Sequence, residues 1–329
     1  MHKHRILIGL GWAYPFLIGL WLLLRAVFFD HLWWLALINT VALYLFLPLV
    51  IVVPLALWLR AWPLLLAQSL PGLAFVYFFG ALFMPVPTVL GGQGHAQLTA
   101  MTLNMLWSNE DDAAILAAIQ QANPDLIGLQ EVTPDTEERL TRQLATAYPY
   151  VAADPIRRFH NILLLSRWPI TAVSTSFQTP IERALQATVL VNEHAVTVFV
   201  AHLTPSNVLM YPSDEFATYT DNCYSERLRE AQSLAQAIRS STNPALLLCD
   251  CNFTSTSEAY AALQTVALDS FPGAGWGFGH TAQVAELPFP LLRIDYIWHT
   301  AKLVARRATV EPAVGSDHWP LIVELGFGF

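Results

Sequence analysis

Ala245-Leu246-Leu247-Leu248-Cys249-Asp250-Cys251-Asn252 is an apolar run that ends on a carboxylate and an amide. A short apolar run of this kind reads as a buried strand, which delivers its last side chain to the rim of a sheet. The arrangement recurs along the chain. Leu98–Leu103 ends at Asn104, Asp125–Leu129 at Gln130-Glu131, and Ala195–Ala201 at His202. Two later pieces, Arg293-Ile294-Asp295-Tyr296 and Ser316-Asp317-His318, add another carboxylate-bearing strand start and a histidine ahead of the last strand. Repeated polar groups at strand ends predict one sheet edge that carries the chemistry.

The remaining elements follow from period and punctuation. Strands are expected at Asn161–Ser166, Ala184–Val191, Leu303–Val310 and Leu321–Leu325, and the run from Ile294 to Trp298 is a further one. A helix is expected over Asp111–Gln121, opened by acidic residues and stopped by Pro124. Thr133-Pro134 opens another, with Pro at its first position and acidic residues in its first turn. Glu226–Arg239 places Leu228, Ala231, Leu234, Ala235 and Ile238 on one helical face. Strands with interspersed helices and hairpin-like neighbours indicate a layered α/β (α+β) domain over residues 98–329.

Together these motifs resemble the endonuclease/exonuclease/phosphatase superfamily over residues 98–327. The resemblance implies a four-layer α/β/β/α sandwich of the DNase I-like type. It also implies metal-dependent phosphoester hydrolysis by in-line attack of an activated water. Glu131 is the expected ligand of a hard cation, because Mg2+ takes oxygen donors and is commonly held by one or two carboxylates; Mn2+ is the alternative. Asn104 matches the family's strand-end asparagine that holds the metal or orients Glu131, and Asp317 stands as a further carboxylate ligand through water. Asp250 and Asn252 match the family's Asp-x-Asn. Its aspartate orients and deprotonates water, and its asparagine stabilises charge on phosphorus. A spacing of two along an extended chain would put both on one face. His318 resembles the histidine of the closing motif, with Asp295 fixing its tautomer and supporting its charge. His202 looks like the phosphate-contacting histidine. Asn161 and Arg293 are expected at the substrate, Arg293 equally as a bridge to a carboxylate, and Arg167 as a structural pair.

Composition divides the chain. Hydrophobic residues make up 54% and charged residues 13%, too apolar for an ordinary soluble protein. Residues 1–90 carry only Lys3, Arg5, Arg25, Asp30 and Arg60, which leaves 13 basic and 24 acidic residues for 91–329. An acidic domain with one lysine, Lys302, disfavours an extended groove along a polyanion. Three apolar runs, 6–24, 32–59 and 63–88, are each long enough to cross a bilayer as a helix, with Trp12, Trp21, Trp33, Trp34, Trp58 and Trp62 mostly near their ends. The first run is longer than a signal-peptide core and has no small-x-small site after it. Lys3, Arg5 and Arg60 against Arg25 place the N-terminus in the cytoplasm and the catalytic domain on the extracytoplasmic (periplasmic) side. Residues 91–97, with Gly91-Gly92-Gln93-Gly94, form a short linker that keeps the domain close to the lipid bilayer.

The three cysteines, Cys223, Cys249 and Cys251, are too few for a disulfide framework, and the last two read as buried residues behind the strand that carries Asp250. The expected activity is that of a membrane-anchored nuclease or general phosphodiesterase acting on a phosphodiester. A phospholipid or sphingolipid headgroup is the alternative substrate, favoured by tethering and by the apolar insertion Pro205–Tyr224. A noncatalytic binding module would be indicated by loss of Glu131, Asp250 or His318, and all three are present.

Overall fold

The computed structural model describes residues 2–84, 98–109, 111–154, 161–177, 181–206, 215–284, 287–312 and 315–328. The linker 91–97, the last residues assigned to the third apolar run, and 207–214 of the insertion lie outside the described residues.

The chain starts with five apolar helices, α1 (His2–Phe28), α2 (Trp33–Thr40), α3 (Leu49–Trp58), α4 (Trp62–Ala67) and α5 (Ser69–Phe79), the last followed by a single 3-10 turn. Gly11–Phe28 and Trp62–Leu82 are long and apolar enough to cross a membrane. The middle run is not one straight span. Trp33–Thr40 and Ala42–Trp58 meet at 71°, because Val41 leaves helical geometry (φ −104°, ψ 18°) and α2 lies against the helix that begins at Phe216. Arg60 sits at the opposite end, in a left-handed turn (φ 51°) between α3 and α4.

From residue 98 the order is β1 (Leu98–Asn104), α6 (Asp112–Ala122), β2 (Leu126–Val132), α7 (Pro134–Leu144), β3 (Tyr150–Ala153), β4 (Asn161–Ser166), β5 (Ile170–Ser174), β6 (Ala184–Val191) and β7 (His194–His202). Then come α8 (Phe216–Ser240), β8 (Ala245–Asp250), α9 (Glu258–Gln264), β9 (Leu268–Asp269) and α10 (Ser270–Ala274). The chain closes with β10 (Ala282–Gln283), β11 (Pro290–Leu292), β12 (Asp295–His299), β13 (Leu303–Val310) and β14 (Leu321–Phe327). Two six-stranded sheets form, β13-β14-β1-β2-β4-β3 and β5-β6-β7-β8-β12-β9.

Strand alternation builds the layers. On β1, Ala100 belongs to the core between the sheets, while Met101 and Leu103 pack outward with Ile115 and Ile119 of α6 and Leu140 and Leu144 of α7. On β8, Leu246 and Leu248 face the first sheet, while Leu247 and Cys249 pack with Leu234 and Ile238 of α8 and Leu263 of α9. The domain is therefore an α/β/β/α sandwich of the DNase I-like type. The sheets approach closely at Gly128, where a Cβ would lie 2.7 Å from Leu248 Cβ.

Local chemistry explains the helix ends. Asp111 caps α6 by accepting from the Ala114 amide, and Thr133 caps α7 by accepting from that of Thr136. Helix α8 begins ten residues before the amphipathic pattern does. Thr220, Cys223 and Tyr224 are buried, Tyr224 shares a hydrogen bond with Thr40, and Phe216 packs edge-on to Trp33 at 5.7 Å. Residues 216–224 of the insertion are thus helical and packed on α2. Cys249 and Cys251 are fully buried behind Asp250 as expected, but they are bonded to each other as a disulfide.

Candidate active site

Register brings three of the expected residues into one rung. His202 is paired with Asp250 across β7 and β8, and Asp250 with Asp295 across β8 and β12. All three are buried, at 1–2% exposure. Opposite them, the first sheet ends on Asn104 paired with Gln130. Gln130 is spent between the layers, on Thr102 and the Leu248 carbonyl.

Simple alternation would send Glu131 to the outer face. Its backbone instead adopts φ 57°, inside a register shift between Leu129 and Val132, and a bulge of this kind re-aims a side chain. The Glu131 carboxylate accepts from Asn104 Nδ2 at 3.0 Å and from the Trp107 amide at 3.2 Å. The same Asn104 Nδ2 donates to Asp250 Oδ2 at 2.8 Å, so one amide bridges carboxylates from both sheets. His202 Nε2 lies 3.4 Å from Asp250 Oδ2 and 3.8 Å from Glu131 Oε1.

The closing motif completes the cluster. Ser316 Oγ donates to the Asn104 carbonyl at 2.8 Å and accepts from the His318 amide at 3.0 Å, which locks the loop to the end of β1. His318 Nδ1 stands 2.8 Å from Asp295 Oδ2, leaving Nε2 4.0 Å from Asp250 Oδ2. Burial opposes charge on His318, but Asp295 and Asp250 outweigh it and raise the imidazole from 6.5 to about 10. Burial, and then Asp295, push the Asp250 carboxyl from 3.8 up to about 7. The pair thus joins a cationic imidazole to a carboxyl poised near neutrality, a combination suited to acid–base work.

Asn252 reaches the site by a different route from the expected one. The strand ends at Asp250, and Asn252 lies beyond it with φ 53°. Its backbone N–H donates to Asp250 Oδ1 at 3.2 Å and its side-chain Nδ2 to the Leu203 carbonyl at 3.0 Å. Asp317 sits beside His318, half-buried, with Oδ1 3.5 Å from Ser316 Oγ.

Two expected substrate contacts are not brought into the cluster. Arg293 is buried, donates from Nη1 to Asp269 Oδ2 at 2.6 Å, and lies over the Tyr296 ring at 4.7 Å. It ties the segment leading into β12 to Asp269 of β9, the bridge to a carboxylate that was one of its two expected roles. Asn161 Nδ2 is directed to Glu137 Oε2 at 3.2 Å and the Asp154 carbonyl at 3.5 Å. Arg167 pairs with Asp125 at 3.3 Å, as a structural residue. Trp107 escaped the sequence reading. Its amide orients Glu131 and its side chain is 48% exposed beside the cluster, but it follows Leu106, whose φ of 59° no sequence signal announces.

The oxygens of Glu131 and Asp250 converge on the Asn104 amide from opposite sheets, and these are donors a hard divalent cation takes. Asp250, Asp295 and His318 also place ligand atoms within 4.8 Å of one another. His318 Nδ1 is already committed to Asp295, so the Glu131 side of Asp250 is the better seat.

A model of the endonuclease/exonuclease/phosphatase family matches residues 101–318, more than half of the chain and every residue of the cluster. The chain belongs to this family. Its members hydrolyse phosphoesters, which assigns the chain to the phosphoester hydrolases. No curated protein matches the sequence. Among solved structures, a family member from Bacteroides thetaiotaomicron is 18% identical, with 70% of this chain and 98% of that one covered and a TM-score of 0.56. A 3′ phosphatase from Neisseria, bound to a product DNA hairpin, is 16% identical, covering 70% of this chain and 100% of that one at a TM-score of 0.54. A mannosyl-6-phosphatase from Bacteroides thetaiotaomicron is 18% identical, covering 70% and 100% at a TM-score of 0.51. At these identities the likeness shows the family fold alone.

Proposed function

We propose that the chain is a divalent-metal-dependent phosphodiesterase of nuclease or general type, held at the extracytoplasmic face of a membrane by its N-terminal helices. The observation that carries the reading is the Asn104 bridge between Glu131 and Asp250, with His202 and His318 on either side of Asp250. Glu131, with Asn104 and with Asp317 through water, would hold Mg2+ or Mn2+, and the bound cation would supply charge neutralisation at the phosphate. Asp250, ionised above about pH 7, orients and deprotonates the attacking water. His318, kept cationic by Asp295, donates to the phosphate oxygens, as does His202. Asn252 contributes its amide at the same phosphate once it exchanges the Leu203 carbonyl for substrate.

The membrane placement rests on two apolar helices of spanning length and one limb of a bent pair. Arg25, Asp30 and Leu82 all lie at the helix ends that meet the catalytic domain, and Arg60 at the other, which suits three crossings with the domain opposite the N-terminus. A lipid phosphoester is the second reading. Trp276, Leu287 and Phe289 are 74%, 42% and 49% exposed, and Trp276 packs on Phe83 at 5.9 Å where the last apolar helix ends. Such aromatics suit a headgroup layer.

The test is hydrolysis of bis(p-nitrophenyl) phosphate, plasmid DNA and sphingomyelin vesicles in parallel, each with Mg2+ and with chelator. Mg2+-dependent cleavage of the first two supports the nuclease or general phosphodiesterase reading, and cleavage of vesicles alone replaces it with the lipid one. Failure on all three, with the protein folded, removes both.

A further inference from the structure

The N-terminal helices are joined by hydrogen bonds to the loop that follows Asp250. The Asn39 carbonyl accepts from Thr254 Oγ1 at 3.3 Å and from Thr256 Oγ1. Arg25 Nε donates to the Thr256 carbonyl at 3.0 Å, and Asp30 Oδ2 accepts from the Glu258 amide, at the start of α9, at 2.6 Å. Asn39 is itself fixed on every side. Its Oδ1 accepts from Trp21 Nε1 at 2.9 Å, and its Nδ2 donates to the Phe29 carbonyl at 3.1 Å and to Asp30 Oδ1 at 2.7 Å.

This polar knot is buried, with Asn39 at 0% and Thr256 at 2% exposure. Polar groups in such surroundings hold one geometry, because leaving a partner unmade is costly. From the other side, Tyr296 donates from its hydroxyl to the Phe253 carbonyl at 3.0 Å. The segment 253–258 is therefore pinned between the catalytic sheet and the apolar helices, and most of its pins come from the helices. Immediately before it stands Asn252 in the left-handed region (φ 53°), with its amide on Asp250. A residue in that region persists only where its surroundings over-determine it.

We propose that the N-terminal helices are a positioning part of the catalytic centre: through Asn39 and Asp30 they hold the Thr254–Glu258 loop, and that loop fixes Asn252 and the end of β8 that carries Asp250. The helices therefore do more than tether the domain. Thr254, Thr256, Asn39 and Asp30 are positioning residues, none of which touches the reacting phosphate. The inference rests on the hydrolase reading for its kinetic consequence, but not for its structural one.

The test uses the full chain in detergent. The double variant Thr254→Val/Thr256→Val removes both hydroxyls that reach Asn39 and keeps the side-chain shape, while Thr254→Ser/Thr256→Ser keeps the hydroxyls. Small misplacements of catalytic groups cost large factors in rate, so the Val variant should lose about tenfold in kcat on bis(p-nitrophenyl) phosphate with KM little changed. The Ser variant should recover the wild-type rate, and amide hydrogen exchange over 252–258 should quicken in the Val variant alone. Wild-type kcat in the Val variant, whatever its melting temperature, would overturn the proposal, as would an equal loss in the Ser variant. Thr254→Val alone, judged by the same criteria, covers failure of the double variant to fold. If the wild-type chain hydrolyses no phosphoester, the hydrolase reading fails while exchange still decides the junction. Unchanged exchange at 252–258 in the Val variant would overturn it.

Discussion

Replacing Asp250 by Asn should make the protein more stable while removing its activity. The carboxylate is 1% exposed, and burial, Asp295 and Glu131 together raise it from 3.8 to about 7 against the pull of His318 and Asn104. At roughly 1.4 kcal/mol per tenfold change in proton affinity, holding it charged costs the fold about 4 kcal/mol. The sign follows from linkage. The folded carboxyl binds its proton more tightly than the unfolded one, so stability falls as pH rises from about 4 to about 7 and the full penalty stands above that. Asn escapes the penalty. The pull of His318 is already contained in that raised value, so what Asn adds is an amide donor that faces a donor, Asn104 Nδ2 or the Asn252 amide. A buried donor left without its acceptor costs roughly 2–3 kcal/mol, leaving about 1–2 kcal/mol of net stabilisation. For a domain of this size that is a rise of about 2–8 °C in Tm. Intrinsic-fluorescence melting in detergent with chelator, from pH 5 to pH 9, reads it out. The gap between variant and wild type should widen up to about pH 7 and then level off, and Mg2+ should narrow it. Turnover should fall by roughly 10²–10⁴-fold, as for loss of a positioned base. A variant less stable than wild type at pH 8, or a gap that does not change with pH, would refute the assignment of Asp250 as a buried, strained carboxylate.

Glu131→Gln should raise the Mg2+ concentration needed for half-maximal rate about tenfold or more, because second partners of a metal site matter on that scale and a direct carboxylate matters at least as much; a metal titration of the rate checks it, and an unchanged midpoint would remove Glu131 from the metal. Gly128→Val should destabilise the sandwich by about 1–3 kcal/mol, since its Cβ alone meets Leu248 Cβ at 2.7 Å; chemical denaturation should show the loss, and a neutral result would mean the sheets can separate without cost. A periplasm-dependent reporter fused after Phe329 should be active and a cytoplasm-dependent one silent, and the reverse pattern would invert the topology.

Period and punctuation located most of the fold. Asn161–Ser166, Ala184–Val191, Ala245–Asp250 and Leu303–Val310 are strands at the expected residues; the first and third are runs buried on both faces, and the other two alternate buried with partly exposed residues. Elements that depend on distant contacts were not legible. The start of α8 at Phe216 is helical because Tyr224 and Phe216 find Thr40 and Trp33, and the bend at Val41 follows from the docking of α2. Within the site, Asp250, His202, Asp295 and Asn104 follow from strand ends alone. Glu131 and Asn252 do not: both take left-handed backbone, one in a bulge and one past the strand, and neither Glu nor Asn in an apolar context announces that turn. Arg293 had two readings from sequence, and only the packing of Asp269 and Tyr296 around it separates them.

Hydrolysis of bis(p-nitrophenyl) phosphate by the full chain in H2 18O tests the central claim most directly. Attack of an activated water on phosphorus predicts one 18O in the p-nitrophenyl phosphate released, with Mg2+ required and chelator abolishing the reaction. Turnover that continues undiminished in chelator, or product without label, would contradict it.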